Sequence, residues 1–189
     1  MSRFRRTLAV SATAAVLVAT VAAVGPAGAS VRHHHDEPEG ATTVVLNPGV
    51  VGTLVSLGVT PVAPGTLTAP GGVYQVAFPI TNDPARGVVR HAGGLEFTKA
   101  SGHDVRITRF TVNTRTGYLT ARATVDGHRA GRIRVFKLGA VQPINGAVPS
   151  CAGIAAGLSL TPAAAGALGV PSAAGVFIGD ACVVPSPEN

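Results

Sequence analysis

The chain has little of what usually announces a function. It contains no tryptophan, two tyrosines and six phenylalanines in 189 residues. So few rings argue against a base-stacking platform for single-stranded nucleic acid. There is no Gly-x-Ser-x-Gly, no His-Glu-x-x-His and no cysteine that stands out as a nucleophile, so no common hydrolase signature supports an enzyme. Cysteine occurs only at Cys151 and Cys182. Redox and metal pairs are more often close in sequence. In an exported chain, two such distant cysteines are most simply a disulfide. Long apolar runs are limited to one, Leu8 to Val24. No cysteine follows it, which disfavours a lipoprotein anchor.

That single run identifies the chain's address. Arg3, Arg5 and Arg6 precede it, and Ala27-Gly28-Ala29 follows. A charged end, an apolar middle and a small-residue exit predict a secretory signal peptide, residues 1–29, cleaved before Ser30. The run falls slightly short of the ~20 residues that span a bilayer comfortably. The mature chain then has 160 residues, enough for one domain with a real core. Residues 30–41 read as a disordered segment rich in histidine and acid. His33 and His35 are its candidate metal ligands. A single β-rich domain is expected over 42–189. Thirteen arginines against two lysines, with abundant Ala, Gly and Val, fit a GC-rich genome.

Residue patterns predict the domain's elements. Thr42 to Leu46 is β-branched and reads as a strand. Asn47-Pro48 offers an N-cap and a first-turn proline for a short helix through Leu57, ended by Gly58. Val59 to Gly72 reads as a loop. Val73 to Ile80 is a strand whose even positions are the more apolar, with Pro79 marking an edge or an end. Gly87 to Lys99 reads as a hairpin. A three-residue loop, Ala92 to Gly94, is preferred over a Gly-Gly turn, because it pairs Val89 with Phe97 and Arg90 with Glu96. From Asp104, the apolar parity slips between Ile107 and Phe110, which predicts a bulge near Thr108-Arg109. Tyr118 to Val125 alternates with period two. Asp126-Gly127 lies in the next turn, and a three-residue loop is expected so that odd positions meet odd ones. Leu158 to Leu160, Thr161-Pro162, an Ala-rich helix and Gly169-Val170 echo Val44 to Val59. Val176 to Val184 is the last strand.

Charge is uneven. Residues 86–137 carry eleven bases against Glu96, Asp104 and Asp126, a local balance of +8, while the remaining mature residues sum to −5. Strand parity places Arg122, Arg132 and Arg134 on one face beside Tyr118. Such a face suits an anionic cell-envelope polymer; export disfavours nucleic acid.

The segment Val88 to Lys99, with His-x-Gly-Gly-Leu-x-Phe-Thr, and Val112 to Ala123, with Thr-Gly-Tyr-Leu-Thr-Ala, resemble stretches of uncharacterised secreted actinobacterial β-sandwich proteins. They are also similar to the HtaA-type haem-binding domain, an exported β-sandwich, over about a third of the chain. The resemblance implies haem as a possible cofactor, with His91 as partner of a haem-ligating tyrosine. Tyr74 and Tyr118 are the candidate phenolates, although neither stands in a matching motif. The expectation is therefore a mainly antiparallel β-sandwich with two short helices and one disulfide. It would serve as a non-enzymatic exported binding or structural module of the envelope or extracellular space, with a haem- or metal-binding module as the alternative.

Overall fold

The structure is a computed structural model that describes residues 39–84, 86–98 and 104–186. The expected signal peptide, His33, His35 and His103 lie outside the described residues. In chain order the elements are β1 (Gly40–Leu46), α1 (Pro48–Ser56), β2 (Val59–Val62), β3 (Thr66–Thr68), β4 (Gln75–Pro79), β5 (Val88–Arg90), β6 (Gly94–Thr98), β7 (Asp104–Asn113), β8 (Tyr118–Val125), β9 (His128–Gly139), β10 (Ile154–Leu160), α2 (Pro162–Ala167) and β11 (Phe177–Pro185). Single 3-10 turns occupy Pro70–Gly72 and Pro171–Ala173.

All eleven strands join one antiparallel sheet in the order β2-β6-β7-β8-β9-β10-β11-β1-β4-β3, with β5 against β7. A twisted sheet this wide curls rather than staying flat. Here it folds back until Ile80, just past β4, bridges His91, just past β5. The two halves thus face each other as a nearly closed sandwich, the mainly antiparallel fold with two short helices that the sequence implied. Alternate residues fill the space between. Val44, Leu46, Val76, Phe78, Phe110, Val112, Leu119, Val135, Leu158 and Val183 are all buried in one cluster. The Phe78 and Phe110 rings meet edge to face at 4.9 Å, the geometry that aromatic quadrupoles favour.

The echo between the two ends of the chain is structural. β1, α1 and β4 form one strand–helix–strand unit, and β10, α2 and β11 form another. The two lie side by side, since β11 pairs with β1. Asn47 caps α1 through the Gly49 N–H at 3.0 Å, and Thr161 caps α2 through the Ala164 N–H at 3.2 Å. Gly58 and Gly169 follow the helices with φ of 60° and 66°, the left-handed cap that glycine tolerates. Leu46 donates its N–H to the Tyr74 carbonyl, and Leu160 donates to Val176, both at 2.9 Å. Tyr74 and Val176 are therefore equivalent positions, and both helices sit at the same end of the sheet.

Cys151 and Cys182 form the expected disulfide, with Cα atoms 5.5 Å apart. It ties the approach to β10 to the middle of β11.

Three local expectations change. First, β5 and β6 do not pair with each other; both run antiparallel to β7, in succession along the same edge. Arg90 faces Thr111, and Glu96 faces Arg106. The cause is the bulge in β7, located as expected between Thr108 and Thr111. It splits the edge into two registers, and Ala92 to Gly94 step across the break instead of turning. A side chain at Gly94 would collide with the Ile107 carbonyl. Second, β8 and β9 turn through two residues, since Val125 pairs with His128. Asp126 and Gly127 have φ of 49° and 77°, the pattern of a primed hairpin turn. Bulges later in the hairpin bring Ala121 opposite Ile133, as expected, and Leu119 opposite Phe136. Third, the stretch 59–72 contains the strands β2 and β3 as well as loop. Short strands with proline and threonine resemble loop in sequence.

Candidate functional site

The interior is incompletely filled. A cavity of about 390 Å³ runs within the sandwich beneath α1. Its lining is almost wholly aliphatic and aromatic, and among the described residues Tyr74 and His91 are its only titratable members. No arginine, lysine or carboxylate among the described residues lines it. The size lies in the range of small-molecule sites, which are also mostly apolar.

The cavity reaches solvent through apolar residues. Among the described residues, seven large apolar side chains are exposed: Val55, Leu67, Tyr74, Val148, Ile154, Val176 and Val184. Five of these, Val55, Leu67, Tyr74, Ile154 and Val176, also line the cavity. Scattered exposed apolar groups need no explanation, but Val55, Tyr74 and Val176 gather at the α1 end of the sheet, whereas Ile154 lies level with Thr42, four residues farther along. The helix α1 adds to this rim. Its sequence, Pro-Gly-Val-Val-Gly-Thr-Leu-Val-Ser, has no charge, and only Val50 in it is buried. Val51 and Leu54 are half-buried on the cavity wall.

His91 sits deep in this wall, 5% exposed. Its Nε2 lies 2.7 Å from the buried Thr42 Oγ1. Its Nδ1 has no hydrogen-bond partner among the described residues. Burial is the main cause that lowers its pKa from 6.5 to about 4, with a smaller opposing contribution from the Phe110 backbone. The imidazole is therefore neutral at ordinary pH.

The structure separates the other candidates. Tyr74 stands half-exposed at the cavity, beside Leu46 at one end of β1. Thr42, the partner of His91, lies four residues back along β1, about 13 Å at strand rise. Tyr74 and His91 therefore do not form a pair. Tyr118 lies on the outer face, under the Arg134 guanidinium at 4.4 Å from its ring centre. Arg122, Arg132 and Arg134 do share the outer face of β8 and β9, all exposed. No group of three or more His, Cys, Asp or Glu able to hold a metal occurs among the described residues.

Haem needs an apolar slot and an axial ligand. The cavity meets the first need. Only Tyr74 meets the second, since the Nε2 of His91 is taken and its Nδ1 is closed off by burial. Sequence reasoning missed the cavity lining at α1 and missed Asp180. That carboxylate is buried, accepts the Gln142 N–H at 3.2 Å on both oxygens, and has its pKa raised by burial against the opposing hydrogen bond. Its position inside the apolar run Phe177 to Val184 was the available signal.

The fold and the cavity together define a class: a disulfide-linked antiparallel β-sandwich with an uncharged, ligand-sized interior. No known family and no curated protein matches the chain. Among solved structures it is similar to the N-terminal domain of HtaA from Corynebacterium glutamicum, with 14% identity and a TM-score of 0.50, over 79% of this chain and 99% of that one. The C-terminal domain of the same protein is similar at 15% identity and a TM-score of 0.47, over 77% and 97%. The likeness to the N-terminal domain is one of fold, and it agrees with the resemblance read from the sequence.

Proposed function

We propose that this chain is an exported, non-enzymatic binding module that holds an apolar or amphipathic small molecule inside its sandwich. One observation carries the reading. The cavity of about 390 Å³ has no charged lining among the described residues and is bordered at the α1 end by the exposed apolar side chains of Val55, Tyr74 and Val176. Burying an apolar ligand there removes both surfaces from water, at about 25 cal/mol per Å². The absence of a carboxylate or a nucleophile–base pair from the lining supports a binder over a catalyst. The signal-like leader supports export to the extracellular space or envelope, and no helix among the described residues is long and apolar enough to cross a membrane.

Titration with a fluorescent fatty acid tests this. Saturable binding with one site is expected. Val55→Asp and Val176→Asp, each placing a charge at the opening, should weaken it at least tenfold while leaving the fold intact. No saturable binding up to roughly 100 µM, about 5 kcal/mol, would remove the proposal.

Haem is the second reading. The fold likeness and the Tyr74 phenol at the cavity favour it. Tyr74 would then supply an oxygen ligand to the iron, while the aliphatic walls hold the macrocycle. A Soret band on hemin titration, lost in Tyr74→Phe and retained in Tyr118→Phe, is the expected result. A spectrum unchanged from free hemin discards this reading and leaves the first standing.

A further inference from the structure

The outer face of β7, β8 and β9 presents a second feature, remote from the cavity. Strand register arranges its outward side chains in cross-strand rows. One row is Arg90, Thr111, Thr120 and Arg134; the next is Thr108, Arg122 and Arg132; a third is Glu96, Arg106, Thr124 and Arg129. Lys137 stands beyond the first row, opposite Tyr118. These positions hold arginine, threonine and one lysine; the acids on this face are Glu96, opposite Arg106, and Asp104 at the start of β7. Arg122 and Arg132 are directly opposite one another, an arrangement that costs stability when nothing neutralises it.

Two of the guanidinium groups are held in place. Arg132 Nη1 donates to Thr111 Oγ1 at 3.1 Å and to Thr120 Oγ1 at 2.9 Å. Arg134 is stacked on Tyr118. Guanidinium groups that are already positioned lose less entropy when they meet an anion.

We propose that this face binds a linear anionic polymer laid across the three strands. Arg122 and Arg132 stand about 5 Å apart across strands and Arg132 and Arg134 about 7 Å apart along one, with Arg90, Arg106, Arg129 and Lys137 spaced more widely around them, and none of them lines the cavity. Successive charges of a chain fit that grid. A bilayer fits it poorly. Val105, Ile107, Phe110, Val112, Leu119, Ala121, Ala123 and Val135 all point into the core and are buried, so little apolar surface remains here to enter lipid.

Long-chain polyphosphate and polyglutamate, titrated against the secreted chain, test the proposal. Binding near 20 mM salt is expected, weakening at least tenfold by 150 mM as released counterions lose their advantage. Binding of polyphosphate alone identifies phosphate as the partner chemistry; binding of both identifies anionic charge in general. Arg122→Gln with Arg132→Gln and Arg134→Gln should weaken binding at least tenfold and flatten its salt dependence. If that variant does not fold, Arg122→Gln with Arg134→Gln, which keeps the anchored Arg132, should weaken binding at least threefold. Arg86→Gln with Arg115→Gln, which removes two charges outside the rows, should change it less than twofold. The proposal fails if neither polymer binds, if the folded row variants bind as the parent does, or if phosphatidylglycerol vesicles bind more tightly than both polymers.

Discussion

His91 makes the folded state sensitive to acid, and the size of the effect follows from its surroundings. In the unfolded chain its imidazole titrates near 6.5; in the sandwich burial lowers this to about 4. A pKa lowered on folding means that the folded state resists taking up the proton. The stability that follows is therefore fully present above pH 6.5 and is lost as pH falls towards 4. The whole gap is worth roughly 3 kcal/mol at 1.36 kcal/mol per pH unit. By pH 4.5 about 2.5 kcal/mol of it is gone. For a domain of this size that lowers the melting temperature by roughly 5–10 °C.

Other groups titrate in the same range, so the readout is a difference. Melting temperatures of the parent and of His91→Gln are compared at pH 7.5 and 4.5. Glutamine keeps an amide that can bond the Thr42 hydroxyl, and it carries no titratable proton. The variant should be less stable at pH 7.5 because it fits the site less well, yet lose less on acidification. Parallel melting curves across pH in the two proteins would refute the argument. So would an NMR titration that gives the His91 ring an ordinary pKa in the folded state.

The other predictions are independent of that histidine. Reduction, or Cys182→Ser with Cys151→Ser, should cost about 3–4 kcal/mol in the chain-entropy model for a closure of this length, measured by denaturant unfolding; an unchanged midpoint would mean that the bridge contributes nothing. Arg122→Thr should leave stability unchanged or raise it by up to about 1 kcal/mol, because it relieves the opposition to Arg132 and adds a β-branched residue; a loss beyond 1 kcal/mol would contradict the assigned outer face. N-terminal sequencing of secreted protein should begin at Ser30, and a product retaining residues 1–29 would contradict the predicted cleavage.

The sequence disclosed the strands better than their partners. Alternation placed Val76, Phe78 and Ile80 on one face and Leu119, Ala121 and Ala123 on another, and all six are buried. The parity slip between Ile107 and Phe110 located the bulge in β7. What it could not disclose was the consequence of that slip. Pairing β5 with β6 satisfied local charge and apolarity, but the split edge of β7 offered both segments a better partner from farther along the chain. The repeated Asn-Pro and Thr-Pro caps announced two helices, and the structure shows why the repeat exists: both helices bracket one end of the sandwich. The cavity itself was illegible. It depends on how much volume the side chains leave unfilled after the sheet curls, and no local pattern reports that. The arginine face was legible, because parity alone determines which side of a strand faces water.

The two brackets are unequal in how firmly the sandwich holds them. Thr161 anchors α2 firmly: its hydroxyl donates to the Arg134 carbonyl at 2.5 Å, its N–H donates to the Val135 carbonyl at 3.0 Å, and Ala164 and Ala165 are buried behind it. By contrast, α1 is one turn longer, buries only Val50, and owes its start to Asn47, whose N–H reaches the Ile178 carbonyl at 2.8 Å. One doorpost is therefore set into the wall, and the other lies against it with little of its own surface buried. α1 takes no part in the β-ladder, so a displacement of its nine uncharged residues would leave every strand pairing of the sandwich intact.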